Sequence, residues 1–156
     1  MNVKEIMTKE CYTVNPDTSL LQAAQLMRRH NVGALPVMQD GRLLGIITDR
    51  DIAIEAVAAG CDPRRGLVRD FMTAEPVTIS PETSLEEAAH VMAQEQVRRL
   101  PITRNGQFLG LVSLGDLAVT LHDDKLVADL LRKESEPVRS DVSVAATIDD
   151  LERKAS

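Results

Sequence analysis

Gly45-Ile46-Ile47-Thr48-Asp49-Arg50-Asp51 is an aliphatic run that ends on a hydroxyl, with an aspartate three residues further on. The same order returns 65 residues later as Gly110-Leu111-Val112-Ser113-Leu114-Gly115-Asp116. Outward from these two stretches the match extends in both directions. Residues 3–57 lie on 68–122 with no insertion, and 20 of the 55 aligned pairs are identical. Met7-Thr8 falls on Met72-Thr73, Pro16 on Pro81, Leu35-Pro36 on Leu100-Pro101 and Gly45 on Gly110. A period this long, repeated only twice, is not a solenoid. It implies two copies of one small α/β (α+β) domain, related by a pseudo-twofold axis, with ligand sites between them.

Each copy reads as β-α-β-β-α. Residues 12–14 and 77–79 are short β-prone runs, each followed by a turn with proline. Ser19 and Ser84 then stand where a helix N-cap would, with Gln22 and Glu87 three residues later to complete capping boxes. Leu20, Ala23, Ala24 and Met27, and likewise Leu85, Ala88, Ala89 and Met92, share one helical face. Asp40-Gly41 and Asn105-Gly106 predict hairpins with type I′ turns, in which both central residues take positive φ. Gly45 and Gly110 interrupt the second strand of each hairpin, which predicts a bulge or a close backbone approach. A second helix is expected over 50–59 and 115–121. The domain reading is 1–60, a linker at 61–67, and 68–122. Residues 123–156 follow, starting with an amphipathic helix at 123–133 whose apolar side is Leu126, Val127, Leu130 and Leu131. The rest of this segment reads as an acidic, partly mobile tail with a weak helix at 148–154.

Composition narrows the function. Hydrophobic residues make up 44 % of the chain, but there is no Trp, one Tyr and two Phe, so the core must be aliphatic. A 55-residue unit is marginal alone, and the copies are expected to pack on each other. The net charge of −6 argues against a general nucleic-acid binder. No apolar run is long enough to span a membrane and no signal segment is evident, so a soluble cytoplasmic protein is expected. Cys11 and Cys61 form neither a disulfide framework nor a metal-ligand spacing, and His30, His90 and His122 are scattered. No catalytic set and no metal site stand out.

Two constellations could hold a ligand. At the strand–helix junctions, Thr48 and Ser113 sit where first-turn amides are unpaired and the helix dipole favours an anion. Asp51 and Asp116, one turn on, could accept two hydroxyl hydrogen bonds, as a ribose diol offers. The alternative is that the hydroxyls only cap the helices and the aspartates favour the first turn. The second constellation precedes each hairpin: Val32-Gly33-Ala34 in the first copy and Val97-Arg98-Arg99 in the second. Glycine and alanine leave room beside the backbone, whereas two guanidinium groups suit phosphate oxygens. Two solvated arginines paired with surface acids are the alternative there. Arg50 joins the candidates as a further cation beside Thr48 and Asp51. Replacing either aspartate is expected to alter stability by only a few tenths of a kcal/mol.

At these residues the chain resembles a tandem pair of CBS domains, a Bateman module, over residues 1–122. More narrowly it is similar to the small stand-alone CBS-pair proteins of bacteria and archaea. The resemblance implies a non-enzymatic regulatory module with no obligatory cofactor, binding AMP, ADP, ATP or S-adenosylmethionine in two clefts between the repeats. By position, Asp51 and Asp116 would hold riboses, with Thr48 and Ser113 near the phosphates. Asp51 would face Val97-Arg98-Arg99, and Asp116 would face Val32-Gly33-Ala34. It also implies a homodimer formed through helices; from the charge and hydropathy above, neither a nucleic acid nor a membrane is expected as a partner. The second motif carries Leu114-Gly115 where the first carries Asp49-Arg50, so the clefts cannot be equivalent. Two other classes compete with the nucleotide sensor. One is a dimeric interaction protein with empty clefts that docks a partner protein. The other is an enzyme, or a redox or metal sensor using Cys11 and Cys61.

Overall fold

The computed structural model describes residues 1–122 and 124–135. A 3-10 turn at Val3–Glu5 opens the chain. Helix α1 (Leu20–His30), strands β1 (Ala34–Gln39) and β2 (Arg42–Thr48), and a π-helix at Asp51–Val57 complete the first copy. The second copy brings α2 (Val68–Phe71), β3 (Thr73–Ala74), α3 (Leu85–Glu95), β4 (Arg99–Arg104), β5 (Gln107–Ser113) and α4 (Leu114–Thr120). Helix α5 (Asp124–Ser135) follows. The five strands form one sheet in the order β1-β2-β5-β4, with β3 added on β2.

Local chemistry sets these elements. Ser19 Oγ accepts the Gln22 N–H at 3.1 Å and Gln22 returns the bond to the Ser19 N–H at 3.2 Å. Ser84 and Glu87 repeat the exchange at the start of α3. Asp40 (φ 51°) and Gly41 (φ 76°), and Asn105 (φ 52°) and Gly106 (φ 77°), take the left-handed backbone that the hairpin turns require. The β-prone runs before the first helices shrink to single parallel bridges, Val14 with Val37 and Ile79 with Ile102. Pro16 and Pro81 stop the pairing two residues on, because proline has no N–H to donate.

The copies exchange arms. Val3 and Lys4 donate backbone hydrogen bonds to the Thr83 and Pro81 carbonyls, at 2.9 and 3.2 Å. Val68 and Arg69 donate to Thr18 and Pro16, at 2.9 and 3.0 Å. Further along, Thr8 bridges to Leu111 on β5, while Thr73 and Ala74 pair with Ile46 and Gly45 on β2. The contacts are reciprocal under the 65-residue offset, which is the signature of a twofold relation. The two strand glycines explain themselves here. A Cβ on Gly45 would lie 2.6 Å from the Thr73 carbonyl oxygen, and one on Gly110 would lie 2.4 Å from that of Thr8. The close approach that these glycines announce is the other copy's arm.

Each core is accordingly closed by the other copy. Val3 is buried with Ile79, Leu85, Ala88, Met92, Leu100 and Val112, whereas Val68 is buried with Val14, Leu20, Ala23, Leu35 and Ile47. Helix α5 adds Leu130 to the second core, and among the described residues no helix takes that place on the first. Three expectations need correction. On α5, Leu131 is exposed, because α5 touches the domain through Leu126 and Leu130. Ala24 is only half-buried, whereas its counterpart Ala89 is fully buried on the helix that α5 packs against. The helix after β2 takes the π form over Asp51–Val57 and ends there, short of the expected residue 59. The tail and the weak helix at 148–154 lie outside the described residues.

Candidate functional site

Both strand–helix junctions are built as reciprocal caps. Thr48 Oγ1 accepts the Asp51 N–H at 3.1 Å, and Asp51 Oδ2 accepts the Thr48 N–H at 2.9 Å. Ser113 Oγ accepts the Asp116 N–H at 3.1 Å, and Asp116 Oδ2 accepts from both the N–H and the hydroxyl of Ser113 at 2.8 Å. The capping alternative is therefore realised, and it fixes the orientation of each carboxylate. One oxygen of each half-buried aspartate closes the cap. The other, Oδ1, carries none of these bonds and is an acceptor available to a diol. The helices they open differ: α4 is an ordinary α-helix, whereas Asp51 begins the π-helix.

The pre-hairpin residues stand beside these junctions. Asp49 N–H donates to the Gly33 carbonyl at 2.9 Å, and Leu114 N–H donates to the Arg98 carbonyl at 2.7 Å. Each motif is thus locked to the pre-hairpin residue of its own copy. Val32 and Val97 are half-buried against their own cores, and Ala34 is buried at the start of β1. Contact across the copies comes from Arg99. Its Nη2 lies 3.4 Å from the position a Cβ on Gly33 would take, and Asp49 Oδ2 lies 3.0 Å from the same position. Gly33, Asp49 and Arg99 therefore meet at one place between the repeats. Arg50 and Arg98 are exposed, and the Arg50 N–H donates to Asp49 Oδ1 at 2.9 Å. The sequence reading passed over Asp49 as one of two variable positions. Its signal was the contrast with Leu114 at the equivalent place.

Two grooves escaped the sequence reading altogether. One, of about 540 Å³, is lined by Thr13, Asn15, Thr18, Gln22, Leu26 and Met38, among others. The other, of about 470 Å³, is lined by Thr78, Ser80, Thr83, Glu87, His90 and Val91, among others. Most of their lining is equivalent at the 65-residue offset, so the duplication builds the groove twice. They flank α1 and α3 and include neither the Asp51 nor the Asp116 junction.

Cys11 is poorly placed for reactivity. Cys11 Sγ donates to the Thr8 carbonyl at 3.3 Å, and burial pushes its thiol up from the ordinary value, against a smaller opposing pull from its hydrogen bond with the Leu111 backbone. A raised thiol holds less thiolate, the reactive form. Cys61 packs against the first core. Among the described residues no three His, Cys, Asp or Glu side chains gather as a metal site, and no helix is long and apolar enough to cross a membrane.

Comparison with known proteins follows the same outline. A sequence model of the CBS domain matches residues 3–57 and 68–123. The CBS domain-containing protein YhcV of Bacillus subtilis is 48 % identical over 118 residues, covering 76 % of this chain and 84 % of its own. The structure of a protein with CBS domains from Burkholderia ambifaria MC40-6 superposes with a TM-score of 0.75 at 29 % identity, covering 80 % of this chain and 96 % of that one. The CBS domain pair of protein MJ0100, solved in complex with 5-methylthioadenosine and S-adenosyl-L-methionine, gives 0.70 at 26 % identity, covering 77 % and 94 %. With its duplicated motif, exchanged arms and shared sheet, the chain belongs to the CBS-domain family, as a tandem pair of the regulatory kind.

Proposed function

We propose that this CBS pair is a non-enzymatic sensor of an adenosyl ligand, with AMP, ADP, ATP and S-adenosylmethionine as the candidates. The observation that carries the reading is the twice-built junction of Thr48 with Asp51 and of Ser113 with Asp116. Each junction fixes a carboxylate by one oxygen and leaves the other for a ribose diol. The adenosyl compounds bound by the MJ0100 pair support the choice of class. Arg98 and Arg99 give the Asp51 side of the pair the better phosphate affinity, and Val32, Gly33 and Ala34 leave space on the Asp116 side.

The second reading is a dimeric interaction protein that docks a partner and leaves its clefts empty. It is favoured by each aspartate already serving its own cap through one oxygen. Both readings share a homodimer. Ala56 and Leu117 turn inward, but Ala53, Ile54 and Val57 on the π-helix and Ala118 and Val119 on α4 are exposed. Two such apolar faces on one small protein suit a second copy.

Calorimetry against AMP, ADP, ATP, NAD, S-adenosylmethionine and cyclic dinucleotides tests the first reading. A hydrogen bond to a charged group contributes about 1.5–3 kcal/mol, so Asp51→Ala or Asp116→Ala should weaken the affected cleft about 10- to 150-fold. Equal binding by wild type and the double variant would sink the ribose assignment. No binding at millimolar ligand would hand the lead to the interaction protein.

A further inference from the structure

We infer that the homodimer pairs head to tail: the helical layer of each protomer's first copy packs on the second-copy layer of its partner, because the two layers carry opposite charge. The inference rests on the homodimer reading above and adds the orientation of the protomers. On the first core the layer is α1 with the π-helix, and on the second it is α3 and α4 with α5 laid against α3. The inward positions of α1 and α3 are identical, Leu20 with Leu85, Ala23 with Ala88 and Met27 with Met92. Their outward positions differ in charge. Helix α1 carries Arg28 and Arg29 and no acid, whereas α3 carries Glu86, Glu87 and Glu95 and no lysine or arginine; all five are exposed. At the 65-residue offset their counterparts are Ala93, Gln94, Leu21, Gln22 and His30. The rest of each layer preserves the contrast. Apart from the capping aspartates, the π-helix adds Glu55 and α4 adds no charge, while α5 carries as many acids as bases. Helix dipoles account for the arginines in the last turn of α1 and for Glu86 and Glu87 in the first turn of α3. They do not account for Glu95, an acid that ends a helix.

Apolar contact does not choose the orientation, because each layer exposes it: Ile54 and Val57 on the first, Val119 and Leu131 on the second. Charge does choose. Pairing like with like sets Arg28 and Arg29 against the same arginines, and the α3 glutamates against the same glutamates, which costs free energy. Head-to-tail pairing turns the arginines of each protomer toward the glutamates of the other. The twofold axis repeats that contact, so the assembly closes at two protomers.

The test uses the full chain as wild type, Arg28→Glu/Arg29→Glu, Glu86→Lys/Glu95→Lys and the quadruple variant that joins them. Glu87 is left in place because it closes the cap of α3. Thermal melts check the fold, and sedimentation equilibrium at low and at raised salt gives the dimer Kd. Each double variant should dimerise about 2- to 25-fold more weakly than wild type, the effect of one exposed pair at each of two equivalent contacts. The quadruple variant, with both layers reversed, should return to the wild-type Kd, and the losses should shrink as salt is raised. Titrated into fluorescently labelled wild type, the quadruple variant should pair with itself in preference, since a mixed dimer sets like charges together at both contacts. Unweakened double variants, a quadruple variant that folds but does not recover, or one that prefers wild type to itself overturns the orientation and leaves the homodimer standing. A wild-type chain that stays monomeric across micromolar concentrations overturns both.

Discussion

Where the first copy places Asp49 and Arg50 after its hydroxyl, the second places Leu114 and Gly115; where the second opens its hairpin with Arg98 and Arg99, the first has Gly33 and Ala34. Yet Thr48 with Asp51 and Ser113 with Asp116 keep nearly the same hydrogen bonds. The arms also cross at glycine in both copies. The repeats thus agree where each completes the other and differ where they face each other across the cleft. Packing is demanded twice by the same geometry, so substitution there costs stability in both places. Apart from Ala34, the cleft residues are half-buried or exposed, so they can diverge without disturbing the core. A duplicated protein can in this way keep one fold and hold two unequal sites.

The largest test of that contrast lies in α5, which, among the described residues, packs on the second copy alone. Leu130→Ala removes a buried side chain and should lower stability by about 2–4 kcal/mol, read as a fall in the urea midpoint. Loss of less than a few tenths would show that α5 is an accessory to the second core rather than part of it.

Gly45→Ala and Gly110→Ala come next. Each places a methyl group against a backbone carbonyl of the crossing arm, and overpacking of this kind costs about 1–3 kcal/mol. Hydrogen exchange should speed up at the Thr8 and Leu111 amides, which bond each other's carbonyls, in Gly110→Ala, and at the Glu75 amide, which is bound to the Leu44 carbonyl, in Gly45→Ala. Unchanged exchange at those amides would mean that the arm yields elsewhere.

The aspartates give a smaller effect. Because each accepts the N–H of its own cap residue, Asp51→Ala and Asp116→Ala should each cost about 1 kcal/mol, more than the few tenths expected from a first-turn charge alone. In thermal melts without ligand the loss should be the larger for Asp116→Ala, whose carboxylate also accepts the Ser113 hydroxyl. A larger loss for Asp51→Ala would locate a further role for that carboxylate.

The smallest effect concerns the turn acids Asp17 and Glu82, which occupy equivalent places but are paired differently. Asp17 binds Arg69 from the other copy's arm, whereas Glu82 binds Arg104 of β4. Both pairs are exposed, so Arg69→Ala and Arg104→Ala should each cost about 0.2–1 kcal/mol, and less at high salt. Only Arg69→Ala should also quicken exchange at Val68, whose amide is bound to Thr18.

Much of this was legible in the sequence because it is local. Ser19 with Gln22, Ser84 with Glu87, and the Asp-Gly and Asn-Gly turns specify their hydrogen bonds within four residues, and they form as the sequence implies. Gly45 and Gly110 announced a close approach but not its source. The hydroxyl–aspartate spacing was legible as either a ligand site or a cap. One capping oxygen leaves the other uncommitted, which is why spacing alone could not separate the two.

The sequence by itself determined the duplication, the element order and the chemistry of the two junctions, since identity at a fixed offset and contacts over three or four residues need no third dimension. Only the tertiary structure decided that Val3 closes the core around Leu85 and Val68 the core around Leu20. It also decided that Arg99 reaches Gly33 beside Asp49. Those contacts join residues some 50 to 80 positions apart in the chain. They depend on how two marginal units bury their apolar faces on each other, which no local pattern encodes.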